Sequence, residues 1–241
     1  SSDRALLIHR LLFNIYEQNL LFLPHEQCEN RSMFHEFYSE ELQEIGDCLR
    51  LPLERLAFHS LSNHVKLTGK WTLETLRQYF KDVISQHEKE HSETCALIRN
   101  SQNPKEVLQE LFKQQASDAL SEASGMSRYL GGSFGMVQSG LAKVVVDEFG
   151  FGVHADKHST LFEELMTGVG LDCRAHVYFT EYSAASLCLA NYFHYISMNK
   201  RLFFKYAGAI YFAEASLPHV NRQMLAVVKE FVPSANCKYF E

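Results

Sequence analysis

Chain breakers are scarce: 241 residues carry five prolines and twelve glycines, and no linker, repeat or low-complexity segment divides them. The chain therefore reads as one domain spanning 1–241, and 46% hydrophobic residues suffice for a sizeable core. No apolar run reaches the roughly 18 residues a membrane-spanning helix needs, which leaves no membrane partner. Positive charge is in deficit. The formal charge is −6 and the pI near 6.1, so no basic stripe awaits nucleic acid. Cys28, Cys48, Cys95, Cys173, Cys188 and Cys237 lie far apart, with no CxxC pair and no secretory leader. That argues against a disulfide scaffold or zinc ribbon and for a reducing cytoplasm. The first residue is Ser1 rather than Met, so the sequence need not be the intact gene product at either end.

What is present reads as helix after helix. Leu6, Leu7, Leu11, Leu12 and Ile15 recur at helical spacing, and Phe34, Phe37, Leu42 and Ile45 form a second stripe. Further helices are expected over 51–65, 73–98, 107–130, 134–149, 161–169, 184–196, 202–215 and 220–231. Asn103-Pro104 supplies a cap with proline at the first helical position, and Gly131-Gly132 closes the same helix. The fold class is all-α.

His87-Glu88-Lys89-Glu90-His91 fits the HExxH zinc pattern, with both imidazoles on one face if the segment is helical. Ser85, Gln86, Lys89, Glu90, Ser92 and Glu93 surround it with polar groups, however, and this is how a solvated helix face reads.

Three acids and one histidine stand out on apolar-faced segments. Glu214 follows the run Tyr206–Ala213, whose side chains are expected to pack on all sides, so a buried carboxylate there needs a cation or donors. An exposed helix edge is the plain alternative. Asp147 and Glu148 end a valine-rich helix, where the helix dipole disfavours anions and a positive partner is expected. A frayed helix end explains them equally well. His158 precedes Thr160-Leu161-Phe162-Glu163, a capping-box pattern, which places the ring near a helix N-terminus where the neutral, metal-binding form is favoured. A lone histidine is more often an ordinary surface or core side chain. Glu122 lies one turn beyond Asp118 in a helix of small residues and alone reads as solvent-facing.

Together these residues carry a resemblance. The segment running from Asp147-Glu148-Phe149-Gly150 through His158 and Leu161-Phe162 to Gly170-Leu171-Asp172 is similar to the signature of the heme-oxygenase-like diiron oxidases, within the TenA/PqqC structural superfamily that includes the CADD-like proteins. The resemblance covers the last 140 residues or so well, and the first 100 only as helices. It implies a single heme-oxygenase-like helical domain in which Glu122, thirty-six residues before His158, His158 itself and Glu214 are metal ligands. Glu148 matches the additional carboxylate of members that oxygenate nitrogen or act in a CADD-like way. The family completes its site with a His-x3-Asp-x2-His helix about 30 residues beyond the Glu214 position. The sequence stops at Glu241, where Tyr239-Phe240-Glu241 resembles the lead-in to it, so that final ligand helix is expected to be missing.

The resemblance implies two irons, or an iron–manganese pair, and no heme, in an oxidase that uses O2 on a small amino-acid-like or fatty-acid-like metabolite. Carboxylates bridge and neutralise such ions, imidazoles cap them, and oxygen supplies oxidising power that side chains lack. Two other readings stay open: a non-catalytic CADD-like binding protein with an incomplete site, and a metal-free TenA/PqqC-like enzyme. A homodimer is the base-rate expectation. Tyr178, Phe179, Tyr182, Tyr192, Phe193, Tyr195, Tyr206, Tyr211 and Phe212 could line a substrate pocket, although an aromatic stripe at helical spacing more often builds core. His194, in the same stretch, reads as a hydrogen-bonded core histidine.

Overall fold

A computed structural model describes residues 2–22, 31–61 and 69–241. Helices α1 (Ser2–Glu17), α2 (Arg31–Phe37), α3 (Glu40–Phe58), α4 (Leu73–His87), α5 (Glu93–Asn100) and α6 (Pro104–Ala119) are followed by a five-residue α7 (Glu122–Met126), then α8 (Met136–Glu148), α9 (His158–Val169), α10 (Ala184–Met198) and α11 (Phe203–Phe231). Among the described residues there is no strand, and no helix is long and apolar enough to cross a membrane.

Local chemistry starts and stops these helices. Ser39, Thr72, Ser92 and Ser183 each accept a backbone N–H of the first turn through the side-chain oxygen, and Gly170, at φ 90°, ends α9 in the left-handed conformation. Asn103 precedes Pro104 as expected, but its side chain bonds Glu106 rather than a backbone N–H. The long helix expected over 73–98 breaks at 88–92, where Ser92 restarts the chain as an N-cap. The one expected over 107–130 breaks near Ser121 and ends in a short 3-10 turn, Ser127–Tyr129. Conversely, 202–215 and 220–231 form one helix that runs through Pro218. Proline has no N–H, so the Glu214 carbonyl one turn back loses its helical donor.

The main core is built where α9 packs on α6 and α5 packs on α6 and α11. Phe112, Phe162, Leu165, Met166, Val169 and Val228 are fully buried there, each contributing roughly 1.5–3 kcal/mol by leaving water. A second layer docks α1 against α10 and α3 through Leu12, Phe13, Ile15 and Tyr16. The second stripe is divided, since Ser39 caps α3 and separates Leu42 and Ile45, both exposed, from Phe34 and Phe37 on α2. The part of the helix expected over 51–65 that lies beyond residue 61 is outside the described residues.

Candidate metal centre

Glu148 and His158 meet because the chain between them folds back sharply. Glu148 is the last residue of α8 and His158 the first of α9, and two 3-10 turns, Gly150–Gly152 and His154–Asp156, join them. The reversal depends on Gly150. Its φ is +59°, and a Cβ there would lie 2.5 Å from the backbone of Asp156 and Lys157, well inside contact distance. The glycine-rich break is thus what returns His158 to Glu148.

In the resulting contact His158 Nδ1 lies 2.7 Å from Glu148 Oε2. Glu148 is buried, and Oε2, despite that short distance, makes no geometrically aligned hydrogen bond. The expected positive partner for the end of α8 is therefore His158. This corrects the expectation of a neutral imidazole: the nearby Glu148 carboxylate raises the His158 pKa, against burial, and Asp147 and Glu214 add to the rise. The capping box is also absent, since Lys157 is the N-cap and Thr160 instead faces His154 at 3.4 Å.

Glu214 lies within electrostatic reach of this pair. Burial and the Glu148 charge raise its pKa, while His158 opposes them. Its side chain is nonetheless exposed, in an open cleft of about 670 Å³ that it shares with Lys143, Asp147 and Phe151, so the proximity of charges weighs more than the burial. The expectation of packing on all sides fails here because α11 is amphipathic: Tyr206 and Ile210 are buried, Tyr211 and Phe212 exposed. Glu122 opens α7, which touches both α8 and α9, but its side chain lies outside the described residues. Its neighbours Ser121 and Ala123 line the same cavity, scarcely larger than one water, as Glu148 and His158.

Among the described residues no three His, Cys, Asp or Glu side chains are gathered closely enough to hold an ion. The donors that are described nevertheless fit iron. Two ligand atoms each about 2.1 Å from one ion at a right angle stand about 3 Å apart, near the Glu148–His158 separation. Glu148 Oε2 is a buried acceptor without a hydrogen bond, and carboxylate with imidazole is a donor set for iron or manganese.

The HExxH segment is not such a site. Helix α4 ends at His87, so the two imidazoles do not share a helical face, and His87 instead faces Glu90 and His219.

A second acidic centre escaped sequence reasoning. Glu17, at the end of α1, is 1% exposed. Its Oε1 lies 2.9 Å from His194 Nε2, and its Oε2 lies 3.3 Å from His176 Nε2 without hydrogen-bond alignment. Arg128 contacts His194 Nδ1 at 2.8 Å, Ser197 Oγ at 3.2 Å and the Tyr16 carbonyl at 3.2 Å. A guanidinium can only donate, so Nδ1 accepts and Nε2 carries the proton toward Glu17. Burial pushes Glu17 up, but His176 and His194 outweigh it and hold the carboxyl at about 2. Asp118 opens onto a cavity of about 20 Å³ beside His194, and burial, with Glu17, pushes it up to about 6. The available signal was an acid following Leu12, Phe13 and Tyr16 on the buried face of α1. His194 is the bonded core histidine expected, and most of the aromatic series is dispersed among three core clusters rather than lining one pocket.

These features define a helical protein with a buried carboxylate beside a partly exposed histidine, and residues 109–241 match the model of a family described as iron-containing redox enzymes. The chain belongs to that heme-oxygenase-like family. It is also 38% identical over 238 residues to a nitrosourea synthase of Streptomyces achromogenes subsp. streptozoticus, a match covering 98% of this chain and 50% of that protein. The chain thus spans about half the length of the curated relative it matches.

Proposed function

We propose that the chain forms the iron-binding, oxygen-activating part of an oxidase that acts on a small metabolite. Glu122, Glu148, His158 and Glu214 are the ligands in this reading, holding two irons, or iron with manganese, and no heme. Three carboxylates and one imidazole leave a dinuclear site short of nitrogen donors, so further ligands come from outside these four. The observation that carries the reading is Glu148 Oε2: buried, without a hydrogen bond and 2.7 Å from an imidazole nitrogen.

Iron bound there supplies the oxygen chemistry that side chains lack. The protein's own part is to hold the donors and control the proton. Gly150 fixes the reversal, and Glu148 favours the protonated form of His158, a form that binds no metal, so ligation and proton release are linked there. The cleft beside Glu214, with apolar walls from Val144 and Val146 and charged groups at Lys143 and Asp147, gives a small polar metabolite a way in. Similarity to a nitrosourea synthase favours a nitrogen-bearing, amino-acid-like substrate over a fatty-acid-like one.

The test is anaerobic Fe(II) titration of the intact protein, followed by an oxygen pulse with absorbance read on the millisecond scale. Uptake of about two irons and a transient visible band support the proposal. Absence of tight uptake in protein of verified mass overturns it and leaves the binding-protein or metal-free readings.

A further inference from the structure

A cavity of about 500 Å³ opens between α3 and the start of α11, and it shares no lining residue with the cavities at Glu148 and Glu214. Arg55 comes from the last turn of α3 and His59 caps that helix, while Arg201 and Lys205 come from the opposite wall. Between them Tyr195 stacks on Phe58 with centroids 4.7 Å apart and planes 23° from parallel. Phe58 is almost wholly covered, so Tyr195 and the exposed Leu51 supply the accessible apolar surface.

The charge of this cavity is out of keeping with the chain. The protein carries a net −6, yet three permanent cations face one space. The side chains of Arg55, Arg201 and Lys205 form no ion pair or hydrogen bond with any described residue. The single carboxylate in the wall, Glu54, is already taken. It is 3% exposed, accepts from Tyr16 at 3.1 Å, pairs with Arg50 at 2.9 Å and accepts from Asn199 at 3.2 Å on both oxygens. Arg50 cancels its charge and leaves the three cations uncompensated. Residues 62–68, next along the chain, contain no Asp or Glu.

Converging guanidinium and ammonium groups whose one neighbouring acid is already paired are complementary to an anion with several acceptor oxygens. Arginine matches phosphate and carboxylate bidentately. Three positive charges suit a phosphate monoester, which carries close to two negative charges at neutral pH, better than a single carboxylate. The volume lies within the range of small-molecule sites, and the tyrosine face would take a flat body. We propose that this cavity binds a small organic phosphate, with its phosphoryl group held by Arg55, Arg201 and Lys205 and its apolar body resting on Tyr195 and Leu51.

The test is calorimetric titration of the intact protein with phenyl phosphate, inorganic phosphate and benzoate, repeated with Arg201→Gln/Lys205→Gln and with Arg55→Gln. One saturable site per chain for phenyl phosphate is expected, at least tenfold tighter than for either other probe and weakened at least tenfold in the double variant. Added salt should weaken it further. All three substituted side chains are exposed, so folding should survive; if the double variant does not fold, Arg55→Gln alone decides. No saturable binding, binding unchanged by the variants, or benzoate binding as tightly as phenyl phosphate would each overturn the proposal. Iron uptake should be unaffected in these variants, which separates this site from the proposed metal centre.

Discussion

Two carboxylate–histidine groups lie inside this molecule and solve the same physical problem in opposite ways. Around Glu17 the buried charge is answered from within: His194 and His176 flank it, and Arg128 supplies a permanent cation through His194. His176 has a left-handed backbone, φ +63°, a conformation that costs a residue other than glycine about 1–3 kcal/mol. Around Glu148 the charge is answered only in part. Asp147, Glu148 and Glu214 interact with one titratable imidazole, and the group borders an open cleft. A cation added at Glu17 would be redundant, whereas one added at Glu148 would relieve repulsion. A buried acid beside a histidine is therefore not itself a metal signal; the uncompensated charge is.

Substitutions can break this comparison, beginning with the strongest. Glu17→Gln leaves Arg128 buried without its counter-charge and should destabilise the fold by about 3 kcal/mol or more in urea unfolding. Glu148→Gln in the metal-free protein should cost under about 1 kcal/mol, because it also relieves repulsion with Asp147 and Glu214. Equal costs would show that the two centres are alike. Gly150→Ala comes next. It alters no ligand, yet it forces a Cβ into the Asp156–Lys157 backbone and should cost about 2 kcal/mol along with most of the iron uptake. Retention of full iron binding by that variant would remove the turn from the account.

The pH dependence separates the centres more finely. Glu17 is depressed to about 2 from an ordinary 4.5, so its contribution is full above 4.5 and disappears as pH falls toward 2. Urea midpoints measured across that interval should fall with acid, and less so in Glu17→Gln. His158 is raised from 6.5, so in the metal-free protein its contribution is full below 6.5 and is lost as pH rises through the higher folded value. His158→Gln should flatten that alkaline slope. The smallest effect belongs to His91→Ala, at an exposed position beyond the end of α4, which should leave both stability and iron uptake within error.

Much of the fold was legible because helical periodicity is local. The breaks near Ser92 and Ser121 were less so, since each depends on capping and packing that outweigh an unbroken pattern. Glu148 and His158 were paired in the sequence only by a resemblance over one short segment; the contact itself depends on Gly150, which lies between them. Glu17 could not be paired with His176 or His194, which lie more than 150 residues away: His194 reaches it through the packing of α1 on α10, and His176 from the turns that precede α10. Glu214 was chosen for burial and is exposed; what supports it is its interaction with Glu148 and His158.

The most direct test of the central claim is Fe(II) stoichiometry per folded protein, measured anaerobically for the unsubstituted protein, Glu148→Gln and Glu17→Gln. Iron binding should be lost or weakened at least tenfold in Glu148→Gln and retained by the folded fraction of Glu17→Gln. Retention in the first with loss in the second would place the metal at the other centre and contradict the account.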